Sequence, residues 1–272
     1  MNILVTLDSN YMKPLVVMLY SLFANNPGEQ FTIYVMHSSL TSEELTLLDE
    51  YAAGLGHNLE EIKVDDDAFS EAPTLLHYTK AMYYRLLAHT VLPQDLDRIL
   101  YLDPDILVIN SVKELYGLDM NGHLYAAASH SIASRHLNQL RLAPYEIVQY
   151  YNSGVLLMNL PLLRERVNEN EIYDFVEKFR TRLVMPDQDV LNALYGKEIL
   201  PLDEKFYNYD ARYYRYYNFI TGGLWDMDYV IRNTVILHFC GKKKPWRKDY
   251  SGRFHALYKH YEWLTEGLVT LD

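Results

Sequence analysis

The chain has 272 residues, 49% hydrophobic and 22% charged, an ordinary composition for one large folded domain or two small ones. Its net charge of −11 argues against nucleic acid as a partner, because phosphate binding needs clustered Lys and Arg. The single cysteine, Cys240, excludes a disulfide framework and fits a reducing cytosol. The opening MNILVTLDSN lacks the basic and apolar regions of a signal peptide. No run of about 18 apolar residues is long enough to span a membrane. The expected setting is therefore the cytoplasm, with at most peripheral membrane contact.

Asn2–Leu7 predicts a buried strand that ends at Asp8-Ser9-Asn10, followed by an apolar helix from about Tyr11 to Ala24. A second strand is expected over Phe31–Met36. Thr41 and Glu44 carry the capping-box signature of a helix that runs to Gly54, and Asn58–Val64 gives a third strand. This βαβ alternation belongs to a parallel α/β sheet, in which ligands bind at the C-terminal strand ends. A helix over about Lys80–Thr90 places Arg85 among apolar turns, where it either snorkels to the surface or reaches an anion.

In residues 97–110, DRILYLDPDILVIN, two apolar runs flank Asp103-Pro104-Asp105. Unpaired carboxylates resist burial, so the strand should end at Leu102 and present both acids on one side of extended backbone. Pro104 stiffens the link. Such a pair is either a solvated turn or an oxygen-rich cation site suited to Mg²⁺ or Mn²⁺.

Strands near His123–Ala128, Asn152–Leu160 and Val235–Phe239 follow, with one helix over Pro161–Arg182 and another opening at Pro186-Asp187-Gln188-Asp189. Residues 207–217 hold six of the 25 tyrosines and read as a surface loop or a platform for sugar rings. Residues 242–248, KKKPWRK, are either a solvated basic loop or a phosphate clamp. Nucleotide-binding glycine loops, a serine nucleophile elbow and zinc motifs are all missing. The chain reads as one domain with two halves, about 1–110 and 111–272.

Taken in order, the blocks ILVTLDSNY, AMYYRLL, RILYLDPDILV, YYNSGVLLMNL, PDQDVLN and ILHFCGKKKPW resemble the family 8 retaining glycosyltransferases over nearly the whole chain. The resemblance implies a GT-A fold, Rossmann-like, with a mainly parallel central sheet flanked by helices. It implies Mn²⁺, or Mg²⁺, held by Asp103, Asp105 and His238, and a UDP-sugar donor. Thr6, Asp8 and Asn10 would meet the nucleoside. Arg85, Pro104, Gly241 and Lys244 would line the diphosphate. Asn152, Asp187 and Gln188 would hold the donor sugar near the reacting carbon, with Asp189 the other acid of that motif. His77 matches a residue near the acceptor. Ser129-His130-Ser131 lacks an acid that many members carry there, and a longer basic, aromatic tail of some relatives is missing.

The implied reaction moves a hexose from UDP-glucose or UDP-galactose to a hydroxyl of a glycan or glycolipid, with retention. Two alternatives remain at this stage: a metal-dependent nucleotidyltransferase, and a non-catalytic nucleotide-sugar-binding protein.

Overall fold

The computed structural model describes residues 1–64, 81–129, 145, 147 and 149–268. His77 and His130 lie outside the described residues. The first three strands form where the apolar runs place them: β1 (Asn2–Thr6), β2 (Thr32–His37) and β3 (Asn58–Lys63). They join β4 (Arg98–Leu102), β6 (Tyr125–Ala128), β7 (Val155–Asn159) and β8 (Ile199–Leu202) in a seven-stranded sheet of order β3-β2-β1-β4-β7-β6-β8. Every pairing is parallel except those of β7, which runs antiparallel to both β4 and β6. The expected α/β architecture holds. The charged edge strand β3, NLEEIK, is largely exposed, which blunts edge-to-edge pairing.

Alternate residues of the central strands enter two separate cores. Leu4, Met36, Ile99 and Tyr101 face one side, against the helices Ala81–Val91, Glu169–Phe179 and Pro186–Tyr195. Ile3, Val5, Leu100 and Leu102 face the other, against Met12–Ala24 and Ser42–Gly54. The capping box forms as expected: Glu44 N–H donates to Thr41 Oγ1 and Thr41 N–H to the Glu44 carboxylate.

A small second sheet positions the site. In it β10 (Ile236–His238) lies between β5 (Ile106–Val108), antiparallel, and β9 (Tyr209–Asp210), parallel. A third core forms around it from Leu107, Tyr209, Tyr217, Leu237 and Phe239.

Three expectations need correction. The helix over Pro161–Arg182 is two helices, Leu160–Arg166 and Glu169–Phe179, because Val167 is extended and Asn168 caps the second by accepting from Asn170 N–H. The strand expected to start at Asn152 starts at Val155. The tyrosine-rich stretch is neither a surface loop nor a sugar platform as a whole, since Tyr209 and Tyr217 are fully buried core residues while Tyr213 and Tyr216 are exposed. Among the described residues, no helix is long and apolar enough to cross a membrane.

Candidate active site

Strand pairing assembles the acids and the histidine. Asp103 follows β4, and its N–H donates to Gly154 O, just before β7. Asp105 precedes β5, and the antiparallel register sets His238 opposite Ile106. Phe239 N–H then donates to Asp105 O. Asp103, Asp105 and His238 each offer a ligand atom, and these atoms lie within 4.8 Å of one another. His238 Nε2 is 3.2 Å from Asp105 and 3.8 Å from Asp103.

The tautomer of His238 follows from a chain of hydrogen bonds that begins at backbone. Gly154 N–H donates to Asn152 Oδ1, which fixes that oxygen as an acceptor. Asn208 Nδ2 donates to the same oxygen at 2.9 Å, so Asn208 Oδ1 faces His238 Nδ1, also at 2.9 Å. Nδ1 therefore carries a proton and Nε2 points at the two acids. This is the arrangement of a metal-ligating imidazole held by an outer hydrogen bond. Gly154 has no side chain for a spatial reason, because a Cβ there would sit 2.4 Å from His238 Cε1 and 2.5 Å from Asp103 Oδ2.

Arg85 does not snorkel. Its side chain is 16% exposed and bridges Asp103 (3.1 Å) to Asp187 (3.0 Å). It also donates to Ser153 O and lies 4.7 Å over the Tyr101 ring. Burial opposes its charge, but Asp103, Tyr101 and Asp187 outweigh burial and raise its pKa above the ordinary value. Tyr101 in turn donates to Asp103 Oδ1 and meets Thr6 Oγ1 at 3.0 Å, which ties the end of β1 to the acid.

Asp187 also accepts from Ser153 Oγ. Gln188 Oε1 accepts from Asn152 Nδ2 at 3.1 Å and from Ser153 N–H at 3.4 Å. That leaves its NH₂ without an acceptor among the described residues. The bonds run in a chain from Asp103 through Arg85, Asp187, Ser153, Gln188, Asn152 and Asn208 to His238, whose Nε2 stands 3.8 Å from Asp103, so the two ends meet in a ring without a closing hydrogen bond.

Lys244 Nζ donates to Asp105 and to Phe239 O. Burial alone would raise the Asp105 pKa, yet His238 and Lys244 overcome it and hold the carboxyl well below the usual range. Burial likewise disfavours charge on His238, but Cys240 and Asp105 raise it well above an ordinary histidine.

Other expected residues stand outside this ring. Asp8 and Asn10 are exposed at the rim, and Asp8 caps the turn Ser9–Tyr11 by accepting from Asn10 N–H. Pro104 is buried in the link between β4 and β5. Asp189 is a structural acid: fully buried, it accepts from Tyr150 and from Val184 and Met185 N–H, and so holds the loop before its helix. Gly241 adopts φ +85°, which favours glycine, and its nearest neighbour is the Arg212 guanidinium that pairs with Asp210.

Sequence reasoning missed Tyr101, Ser153, Gly154 and Asn208. Of these only Ser153 and Gly154 carried a signal, as small residues beside Asn152 at the mouth of a strand.

The chain is similar to known proteins over most of its length. General stress protein A of Bacillus subtilis (strain 168) is 26% identical over 279 residues, which covers 98% of this chain and 96% of that protein. A lipopolysaccharide 1,2-glucosyltransferase of Escherichia coli is 28% identical, over 88% of this chain and 71% of that protein. The solved structure of the galactosyltransferase LgtC with donor and acceptor sugar analogs superposes with a TM-score of 0.81 at 24% identity, covering 100% of this chain and 97% of that one. The fold is accordingly GT-A. The model of glycosyl transferase family 8 matches residues 2–250, and the chain belongs to that family of glycosyltransferases.

Proposed function

We propose that the chain moves a hexose from UDP-glucose or UDP-galactose to a hydroxyl of a glycan or glycolipid, in a metal-dependent reaction that retains the anomeric configuration. One observation carries the reading: Asp103, Asp105 and His238 converge from three strand ends with their ligand atoms within 4.8 Å of one another.

The residues fit a divalent cation. Two carboxylates suit Mn²⁺ or Mg²⁺, an imidazole tilts the preference to Mn²⁺, and the bare Cα of Gly154 keeps space between the ligands. Bound there, the ion supplies Lewis-acid neutralisation of the diphosphate leaving group.

The remaining roles fall to the chain's own side chains. Arg85 and Lys244 provide fixed positive charge beside the acids, and Gly241 offers backbone without a side chain for the diphosphate. Thr6, Asp8 and Asn10 at the end of β1 meet the nucleoside, and Pro104 stiffens the acid pair. Asn152 and Asp187 face the donor sugar with Gln188, whose amide NH₂ is available to hold a hydroxyl or ring oxygen. Residues of about 1–110 thus serve nucleotide and metal, while residues of about 111–272 serve donor sugar and acceptor and also lend His238, Gly241 and Lys244 to the metal and diphosphate.

Among the described residues, the two acids beside Gln188 do not support a carboxylate nucleophile. Asp187 is engaged by Arg85 and Ser153, and Asp189 is fully buried with both oxygens bonded. We therefore favour a same-face displacement, in which the acceptor oxygen bonds to the anomeric carbon as the glycosidic phosphate oxygen departs and takes the acceptor proton. A cytoplasmic setting fits a nucleotide-sugar donor.

The test incubates the protein with UDP-glucose and UDP-galactose, with Mn²⁺ or with chelator, and follows UDP release and the anomeric proton of the product. Mn²⁺-dependent release with an α-linked product is expected from one donor. Turnover of a nucleoside triphosphate with release of pyrophosphate would instead identify a nucleotidyltransferase. Tight binding of donor and Mn²⁺ with no turnover would identify a binding protein.

A further inference from the structure

Cations that the reaction leaves unused, Arg212 and Arg215 of the tyrosine–arginine segment and Lys242 and Lys243 of the lysine run, come together in one cleft. A cavity of about 910 Å³ is lined by Arg212, Arg215, Lys242, Lys243, Arg253 and Lys259, with no carboxylate among its lining residues. This occurs on a chain of net charge −11. Two of the six cations are paired, Arg212 with Asp210 and Lys259 with Glu262. Arg215, Lys242, Lys243 and Arg253 have no ion pair among the described residues. Four like charges around one cavity repel each other, and an anion between them relieves that repulsion. The cavity also takes in the first turn of the helix His255–Thr265, where Phe254 provides no side-chain cap and the helix dipole favours negative charge.

The cleft touches the candidate metal centre. Cys240 lines it and also interacts with His238, two residues earlier in the chain. Gly241 forms the wall beside Arg212. Lys244 turns away from the cleft to Asp105, whereas Lys242 and Lys243 face the cavity. The volume lies in the range of pockets for discrete small ligands, which favours a bound group over a flat contact with a charged surface.

We propose that the cleft receives a phosphate group of the acceptor, so that the acceptor is a phosphorylated glycan or glycolipid and not a neutral sugar. This rests on the transferase reading above, and it adds the acceptor's chemical class.

The probe is glucose 6-phosphate, compared with glucose, titrated calorimetrically into protein saturated with Mn²⁺ and UDP so that the donor diphosphate site is filled. Glucose 6-phosphate is expected to bind about tenfold or more tightly than glucose, the scale of one charge-assisted contact. The double variant Arg215→Glu/Lys243→Glu is expected to lose that advantage, while its affinity for UDP with Mn²⁺ and its unfolding temperature stay as in the parent. Equal binding of the two sugars would overturn the proposal, as would an undiminished phosphate preference in the variant. Displacement of UDP by glucose 6-phosphate would also overturn it, by placing the phosphate in the donor site.

A parallel arm uses vesicles of phosphatidylglycerol and of phosphatidylcholine. Charge-selective vesicle binding lost in the variant, without any preference for glucose 6-phosphate, would assign the cations to a membrane surface instead. Failure of UDP to bind with Mn²⁺ would remove the transferase reading and the acceptor role with it. A titration of glucose 6-phosphate without UDP would then still report on the cleft itself, so the two failures are distinguishable.

Discussion

Gly154 is where the metal-ligand cluster closes on itself, and Gly154→Ala tests that packing with one carbon atom. The added Cβ would lie 2.4 Å from His238 Cε1, 2.5 Å from Asp103 Oδ2 and 3.0 Å from Asn152 Oδ1. Ordinary carbon contacts begin at about 3.5 Å, so both ligands would have to retreat by roughly an ångström. Neither moves easily. His238 is 3% exposed and bonded to Asn208, while Asp103 is held by Arg85 and Tyr101. Overpacking of this kind costs about 1–3 kcal/mol. Released by spreading the ligands, that strain corresponds to a loss of roughly 5- to 150-fold in Mn²⁺ affinity. Calorimetric titration of Mn²⁺, with thermal unfolding of the metal-free protein as a control, separates lost affinity from lost stability. Wild-type values of both in the variant would refute the packing argument, since the ligands would then have room that the geometry denies them.

Asn208→Leu removes the acceptor that fixes the His238 tautomer, and Mn²⁺ affinity should fall about 10- to 100-fold by the same titration. An unchanged affinity would mean that Asn208 does not orient the imidazole. Arg85→Lys keeps the charge but cannot span Asp103 and Asp187, which Arg85 bridges at 3.1 and 3.0 Å. Loss of one charge-assisted contact of about 1.5–3 kcal/mol predicts a fall of roughly ten- to a hundredfold in kcat/KM for the donor. A fourth prediction concerns pH. His89 is 3% exposed, and burial lowers its pKa to about 4. Above the unfolded value of about 6.5 the residue is neutral in both states and contributes nothing. Between about 6.5 and 4 the unfolded chain takes up a proton that the folded chain refuses, so stability should fall by about 3 kcal/mol as the pH drops through that window. His89→Leu should flatten this part of a denaturant-midpoint profile, and an equally steep profile in the variant would count against it.

What the sequence disclosed follows the reach of local patterns. Strands β1, β2, β4 and β7 are short, apolar and β-branched or leucine-rich, and burial on both faces produces that signature. The reversed direction of β7 leaves no local mark, because the same NSGVLLMNL reads alike whichever way it pairs. Strands β8 and β9 were missed for related reasons. Ile199–Leu202 contains Pro201, and Tyr209–Asp210 is only two residues long, held by its parallel pairing with β10. The break before Glu169 was legible, since Asn168 followed by Glu169 and Glu171 is a helix-start signature inside an otherwise periodic run.

Charged groups of the site were easier to find than neutral ones. Carboxylates at a strand end demand an explanation on energetic grounds. Asn208 and Gly154 do not, because an asparagine in a tyrosine-rich stretch and a glycine before a strand have many bland uses. Their roles exist only once β9 and β7 are placed beside β10 and β4. Arg85 shows the same limit from the other side: its charge was noted, but only the tertiary positions of Asp103 and Asp187 distinguish a bridge from snorkelling.

The most direct test of the account is thermal unfolding with UDP-glucose and UDP-galactose, each with and without Mn²⁺. A ligand that binds only the folded state stabilises it by about 2.7 kcal/mol at a hundred times its Kd. The account predicts a Mn²⁺-dependent rise in Tm with at least one UDP-sugar, abolished in both Asp105→Ala and His238→Ala. A rise that is the same with chelator, or that survives in both variants, would contradict the assignment of Asp103, Asp105 and His238 as a metal-dependent donor site.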